Sequence, residues 1–384
     1  MLANTASYPR GGVHDKPPTY GNVVACWSAT IGVDAQLGLL LTRHNRERTV
    51  KLLHRCHGRS VMTLKTVDQD IEALTVTIVA EFPVPLWRLW DAYVDPRQLE
   101  RFWGPPERPA TFIRHDVRPG GRSVYYMTGS DGARAGGYWE FLDVQAPQFF
   151  EVRDGFTHDD GTPDPDLPTM RVTFDFTELA AGSRLTTTTY FTSAQELEQL
   201  LGMGMLEGTR AAMEQIDGVV TDDASFAAHH IAQLQHLDDT SVRISRVFRA
   251  PIQEVWRAHH DPQLIQRWML GPEGWVMPVC EPAQDPGDVY RYEWETTAGE
   301  DRFGFTGELL ESFPPHRQVV TESMIGVEGP GTTNEMQLVE VRDGTLLTTV
   351  IHYPSVQLQD QILATGMVNG MEASYARLES NLIT

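Results

Sequence analysis

Few side chains in this 384-residue chain stand where chemistry would need them. Glu140 and Glu308 recur at matching places ahead of Pro147 and Pro315, as a general acid would if burial raised its pKa. His115-Asp116 and His352 fall in strand-like runs, but no third member completes a nucleophilic triad in sequence. The pairs His229-His230 and His259-His260 are adjacent, so on a helix they point about 100° apart and chelate poorly. Neither a cysteine nor a carboxylate stands at ligand spacing from them. The acidic loop from His158 to Asp166 lacks the Asp-x-Asp-x-Asp-Gly order and closing glutamate of a calcium loop. Gly120-Gly121 lies between two strands and reads as a hairpin turn rather than a phosphate cradle. Cys280 is a lone thiol with no histidine nearby in sequence. These residues lead us to expect no catalytic set, no metal and no cofactor. The chemistry left is binding.

For binding, two glycine pairs stand out: Gly204 with Gly208, and Gly366 with Gly370, each four residues apart near the end of a helical stretch. A glycine inside a helix costs ~1 kcal/mol relative to alanine, so a repeated pair asks for a reason. On one helix face the pairs either permit close packing or leave a floor of small residues under a cavity. Opposite them, alternation aims Val124, Tyr126 and Thr128 inward in the first half, and Tyr290, Tyr292 and Trp294 in the second. A constant offset makes Tyr126 and Tyr292 equivalent. Met170 and Phe174 share the inward face of a further strand. The expected pocket residues are therefore Tyr126, Thr128, Met170, Phe174, Gly204 and Gly208, then Tyr290, Tyr292, Trp294, Glu308, Gly366 and Gly370. Buried tyrosine hydroxyls need a partner, which a ligand can supply, and methionines suit an adaptable wall.

The elements that must carry these residues occur twice. "FPVPLWRLWDAYVDPRQLERFW" from Phe82 is answered by "FRAPIQEVWRAHHDPQLIQRWM" from Phe248. Further on, "ELAAGSRLTT" is answered by "EVRDGTLLTT", and "GMLEG" by "GMVNG". Each copy reads as a strand, a short helix opened by Pro85 or Pro251, a second helix after Asp-Pro, about six antiparallel strands, and a long closing helix. The first closing helix opens with the capping box Ser193-x-x-Glu196, and the second begins near Ser355. Residues 1–61 form an N-terminal extension, 62–220 the first domain, 221–240 a linker, and 241–384 the second domain. Each copy is long enough to bury its own core and fold as a unit.

In this order the Pro-x-x-x-x-Trp helix, the Asp-Pro, the aromatic-then-Gly-Pro turn and the Gly-Met-x-x-Gly helix resemble the START/Bet v 1-like (SRPBCC) superfamily. The similarity is to the branch of the heat shock protein 90 ATPase activator homologues, in two tandem copies covering Leu74 to Leu382. The resemblance implies an α+β fold of two helix-grip domains, each a curved antiparallel sheet around a C-terminal helix, with a cavity between them. It also implies a hydrophobic or aromatic small molecule as ligand. Alternatives within the same family are a co-chaperone whose partner is a chaperone, and a cyclase- or hydrolase-type enzyme. The co-chaperones carry an additional N-terminal domain, and residues 1–61 show no pattern like it.

Composition narrows the field further. With 31 Lys+Arg against 52 Asp+Glu the chain carries −21, too acidic for nucleic-acid backbones or anionic lipid. Cys26, Cys56 and Cys280 are too few and scattered for a disulfide framework. The most apolar stretch, Val23 to Leu41, is broken by Asp34 and Gln36 and serves neither as membrane span nor as secretion signal. A cytoplasmic, non-catalytic binding protein is the expectation. Residues 1–61 hold eight basic and three acidic residues, opposite to the rest, and show no period. They read as an irregular stretch or one preceding a true start at Met62. Deleting 1–61 is expected to leave the thermal midpoint unchanged; a loss of several degrees would show that the segment packs on the first domain.

Overall fold

The computed structural model describes residues 63–202, 205–222, 230–270 and 274–382. The N-terminal extension with Cys26 and Cys56, the glycine at Gly204, and the Gly271-Pro272 pair lie outside the described residues. In chain order the first half runs β1 (Thr63–Asp70), β2 (Thr75–Phe82), α1 (Leu86–Val94), α2 (Pro96–Leu99), β3 (Ala110–His115) and β4 (Arg122–Thr128). It continues with β5 (Arg134–Gln145), β6 (Phe149–Thr157), β7 (Met170–Leu179), β8 (Gly182–Tyr190), α3 (Ala194–Gly202) and α4 (Met205–Val220). The second half repeats this order as β9 (Gln233–His236), β10 (Ser241–Phe248), α5 (Ile252–His260), α6 (Pro262–Trp268), β11 (Trp275–Glu281) and β12 (Val289–Thr296). Then follow β13 (Arg302–Phe313), β14 (Arg317–Met324), β15 (Thr332–Val341), β16 (Gly344–His352), α7 (Val356–Ala364) and α8 (Met367–Leu382).

Each half forms one eight-stranded antiparallel sheet, ordered β1-β2-β8-β7-β6-β5-β4-β3 and β11-β12-β13-β14-β15-β16-β10-β9. These are two tandem helix-grip domains of α+β class, as the repeat implied. Two strands go beyond the expectation. β1 precedes the strand foreseen near Leu74, and β9 lies inside the stretch 221–240 expected as linker. Both are polar edge strands (TLKTVDQD and QLQH), so hydrophobic alternation could not reveal them.

The helix starts follow from local chemistry. Asp95 and Asp261 cap α2 and α6, accepting from the Arg97 and Gln263 amides at 3.0 and 2.9 Å, with proline next in the first turn. Ser193 accepts from the Glu196 amide at 3.2 Å, while the Glu196 carboxylate accepts from the Thr192 amide and hydroxyl. Ser355 caps α7 by accepting from the Leu358 amide.

The closing element of the second domain is a pair of helices rather than one, while in the first domain α3 and α4 flank two residues outside the described ones. In the second domain Gly366 sits at φ +80° between α7 and α8, a backbone conformation glycine adopts without steric cost. A Cβ added at Gly366 or Gly370 would meet no atom within 4 Å. Both are exposed to solvent, so neither floors a cavity, contrary to the expectation; Gly366 interrupts the helix instead. Gly208 lies within α4.

The concave face of the first sheet carries an aromatic core. Phe150 stacks on Phe174 with ring centroids 4.5 Å apart, and Trp90 meets Phe176 edge-on at 5.3 Å. In the second domain the core is divided: Phe248, Trp268, Tyr375 and Leu378 form one cluster, and Ile265, Met277 and Trp294 another.

The domains are joined by buried polar contacts. Arg243 of β10, 1% exposed, donates to the Phe112 carbonyl at 3.0 Å and to Glu100 at 2.7 Å, both in the first domain. From the edge strand β9, Gln235 donates to the same Glu100 carboxylate at 2.9 Å, and Gln233 accepts from Arg97. Val339 and Val341 pack on the first domain's core, and the Arg342 amide donates to buried Asp91 at 3.0 Å. Breaking a buried ion pair from one side costs about 3–5 kcal/mol, because the other charge is left without compensation. Arg243→Met is thus expected to lower whole-chain stability in urea unfolding by about that much, and Arg243→Met with Glu100→Gln to recover a large part. A single-variant loss below about 1 kcal/mol would mean that Glu100 reaches water when Arg243 is gone.

Candidate functional site

A cavity of 710 Å³ lies in the first domain between the sheet and the closing helices. That size suits a drug-sized ligand. Its walls come from many elements. Val76 and Ile78 of β2, Val172 and Phe174 of β7, and Thr187 and Thr189 of β8 present the sheet. Tyr93 of α1, followed by Phe102 and Trp103 after α2, closes one side, and Ala212, Met213 and Ile216 of α4 form the roof. The rim is built by Pro165 to Thr169, in the acidic loop before β7, and by Gln195 and Glu196 at the start of α3. The strands expose alternate residues to this space because the side-chain period is two.

Aromatic rings set the shape. Trp103 meets Trp139 of β5 edge-on with centroids 4.6 Å apart, and Tyr93 lies 5.2 Å from Phe102 and 5.6 Å from Phe174. Within this apolar wall stands one deep carboxylate, Asp154 of β6. Protein surrounds it, yet part of its surface remains accessible because it faces the cavity. Burial pushes its carboxyl up to about 7, against the opposing pull of the Gly155 amide and the Trp139 indole. That indole N–H leans toward the carboxylate without a hydrogen bond of good geometry. Thr187 Oγ1 and Trp103 Nε1 have no hydrogen-bond partner among the described residues.

Asp154 has a counterpart in the second domain. Asp154 pairs with Met170 across β6–β7, and Glu322 pairs with Thr332 at the same place in β14–β15. Glu322 is provided for internally, accepting from the Tyr290 hydroxyl at 3.2 Å, while burial raises its pKa. The residue across from Asp154 is Trp139, and across from Glu322 it is Gly307. Tyr290 pairs with Gly307 across β12–β13, and its hydroxyl also donates to the Thr321 carbonyl at 3.1 Å.

Of the expected pocket residues, Met170 and Phe174 line this cavity. Tyr126 and Thr128 do not. Strand pairing places Arg122 opposite Glu140 and Val289 opposite Glu308, so the equivalent of Tyr292 is Tyr125, one residue earlier than the constant offset indicated. A one-residue slip exchanges the faces of a strand. Tyr125 and Met127 therefore enter the core, while the Tyr126 ring lies under Arg134 and its hydroxyl donates to the Leu237 carbonyl of the second domain. Tyr290, Tyr292 and Trp294 belong to the second domain's interior, the Trp294 indole donating to the Met269 carbonyl at 2.6 Å. Glu140 and Glu308 are not buried acids. Glu140 meets Arg153 at 2.5 Å on the outer face, and Glu308 is exposed. The missed residues were Asp154, Trp139 and Thr187, although an acid recurring in "EVRDGFT" and "VVTESM" was a readable sign.

Neither candidate histidine, His115 or His352, is placed at the cavity. His115 bonds Ser123 Oγ at 2.8 Å and the Tyr93 carbonyl at 2.9 Å, and burial lowers it to about 4. His352 bonds Ser241, and burial raises the Cys280 thiol to about 11. Among the described residues no cluster of three His, Cys, Asp or Glu side chains is arranged to hold a metal ion.

With the site in view, the chain can be set beside known proteins. The model of the family described as Activator of Hsp90 ATPase homolog 1-like protein matches residues 83–221 and again 249–382. A Mycobacterium smegmatis protein of known crystal structure is 44% identical over 42% of this chain and 99% of its own, with a TM-score of 0.39. An Arthrobacter aurescens protein solved in solution is 44% identical over 43% of this chain and 95% of its own, also at 0.39. DynU16, a putative protein in the dynemicin biosynthetic locus, is 16% identical over 80% of this chain and 99% of its own, with a TM-score of 0.28. No curated protein matches the chain.

The raised acid makes a stability prediction. A carboxyl whose pKa climbs from 3.8 to about 7 on folding binds more protons folded than unfolded, so its contribution falls as pH rises through that window. Asp154→Asn is expected to raise the thermal midpoint at about pH 8, with the gain vanishing towards about pH 4. A pH-independent difference would show that Asp154 ionises freely. The two matched segments correspond to the two helix-grip domains, and the chain belongs to the Activator of Hsp90 ATPase homolog 1-like family.

Proposed function

We propose that this protein binds a hydrophobic or aromatic small molecule in the first domain's cavity, without catalysing its conversion. The observation that carries this reading is the 710 Å³ space between sheet and helices, walled by aromatic and aliphatic side chains with few polar atoms. Catalysis by general acid and base calls for two titratable groups converging on one reacting centre. Here Asp154 is the one carboxylate at depth among the described residues, the Tyr93 phenol is held protonated by burial, and Asp166 and Glu196 belong to the rim. The second domain, whose equivalent acid is bonded internally, is read as a support for the first through the Arg243 junction. The family's other role, a co-chaperone that engages a chaperone, would use an outer face; the internal cavity favours a ligand. The scattered cysteines and acidic composition support a cytoplasmic setting. Among the described residues no helix is long and apolar enough to cross a membrane.

Filling the cavity tests the reading. Ala212→Trp places an indole from α4 into the space. Binding of a neutral polarity-sensitive dye, followed by fluorescence, is expected to weaken at least about tenfold while the thermal midpoint stays within a few degrees. Unchanged dye affinity would overturn the proposal. A destabilisation of about 1–3 kcal/mol would show that the site was packed rather than open.

A further inference from the structure

We propose that the cavity selects a cationic ligand: an aromatic or polycyclic body bearing a protonated amine that pairs with Asp154. This rests on the reading of the cavity as a binding site and names the ligand class it takes. The charges lining the space are of one sign. Asp154 lies at depth and Asp166 and Glu196 at the mouth, while no Lys, Arg or His lines the cavity among the described residues. The stretch 199–208, QLLGMGMLEG, likewise contains no basic residue.

A lone carboxylate in such a place lacks its counter-charge. Asp154 has no ion-pair partner among the described residues, and no charged side chain contributes to its shift. It is flanked by Trp139 from β5 and Met170 from β7, neither of which carries charge. The other titratable groups of the cavity are Tyr93 from α1, whose phenol burial drives far above its usual range, Asp166 from the rim loop, and Glu196 from α3. Glu196 is partly committed to the Thr192 amide and hydroxyl at 2.8 and 2.6 Å. A second polar group also points to a ligand. Thr187 is only 7% exposed, lines the same cavity, and its hydroxyl has no partner among the described residues.

A protonated amine answers these features together. It supplies Asp154 with the missing charge and donors, and it meets aromatic rings whose faces attract cations. The apolar body fills the remainder. A ligand carboxylate would be placed beside Asp154 with no cation to offset it, which a low-dielectric site penalises heavily. The acidic rim and the overall charge of −21 draw cations toward the mouth and repel anions.

The experiment compares three ligands of one shape on the full chain: 1-pyrenemethylamine, 1-pyrenemethanol and 1-pyreneacetic acid, read by energy transfer from tryptophan. The amine is expected to bind about tenfold or more tightly than the alcohol, and the acid weakest. The amine's advantage should grow from about pH 6 to about pH 8 as Asp154 ionises, because the amine itself stays protonated throughout. Asp154→Asn should collapse the amine-to-alcohol ratio toward one. The pH series on the unaltered protein decides independently of whether that variant folds. Equal binding of amine and alcohol, or tightest binding of the acid, overturns the cationic-ligand proposal while leaving the binding site standing. If none of the three binds, the binding reading itself fails, and this proposal with it.

Discussion

The concave face of a curved antiparallel sheet is apolar and has to be covered by something that cannot follow its curvature. In each domain the cover is helical, interrupted in the second by Gly366 at φ +80°. Where two such surfaces differ in shape, either side chains fill the difference or space remains. In the first domain space remains, 710 Å³ of it, between α4 and strands β2, β7 and β8. The position of the cavity, its aromatic walls and the exposure of Asp154 to its interior all depend on that mismatch.

The second domain shows the other outcome on the same frame. Its acid, Glu322, occupies the register position of Asp154, but Gly307 replaces the facing tryptophan and Tyr290 turns its hydroxyl onto the carboxylate. A buried polar group is tolerated when it is hydrogen-bonded, so this acid is held within the domain. Asp154 has the Gly155 amide beside it but no side-chain donor of good geometry among the described residues, and it faces the cavity. Duplication thus left two copies of one polar position, one satisfied from inside and one open to the cavity.

The link between the domains belongs to the fold. Arg243 leaves its own sheet to meet Glu100 and the Phe112 carbonyl, just beyond the two short helices that also carry Tyr93 and precede Trp103. His115, bonded to the Tyr93 carbonyl, continues this polar layer under the cavity wall. The second domain therefore braces the segment that closes one side of the site. A wall held by buried, directional bonds moves little, which keeps the rings of the cavity at fixed distances.

Much of this was legible in the residues. The duplicated Pro-x-x-x-x-Trp and Asp-Pro segments, the capping box at Ser193 and the period-two strands determined two copies of one α+β domain, because capping and alternation are local rules. The polar edge strands β1 and β9 escaped because they bury no regular face. Which residues face the cavity was decided only in three dimensions. Counting from Pro85 placed Tyr126 inward, whereas the pairing of Arg122 with Glu140 turned Tyr125 inward and left Tyr126 at the domain junction. A bulge between Phe112 and Arg114 and another between Phe141 and Asp143 shift the count locally, and each shift exchanges the two faces of a strand. Likewise Glu140 and Asp154 look alike as letters in a strand. The sheet's register turns the first outward to Arg153 and the second inward to a space that no sequence pattern measures.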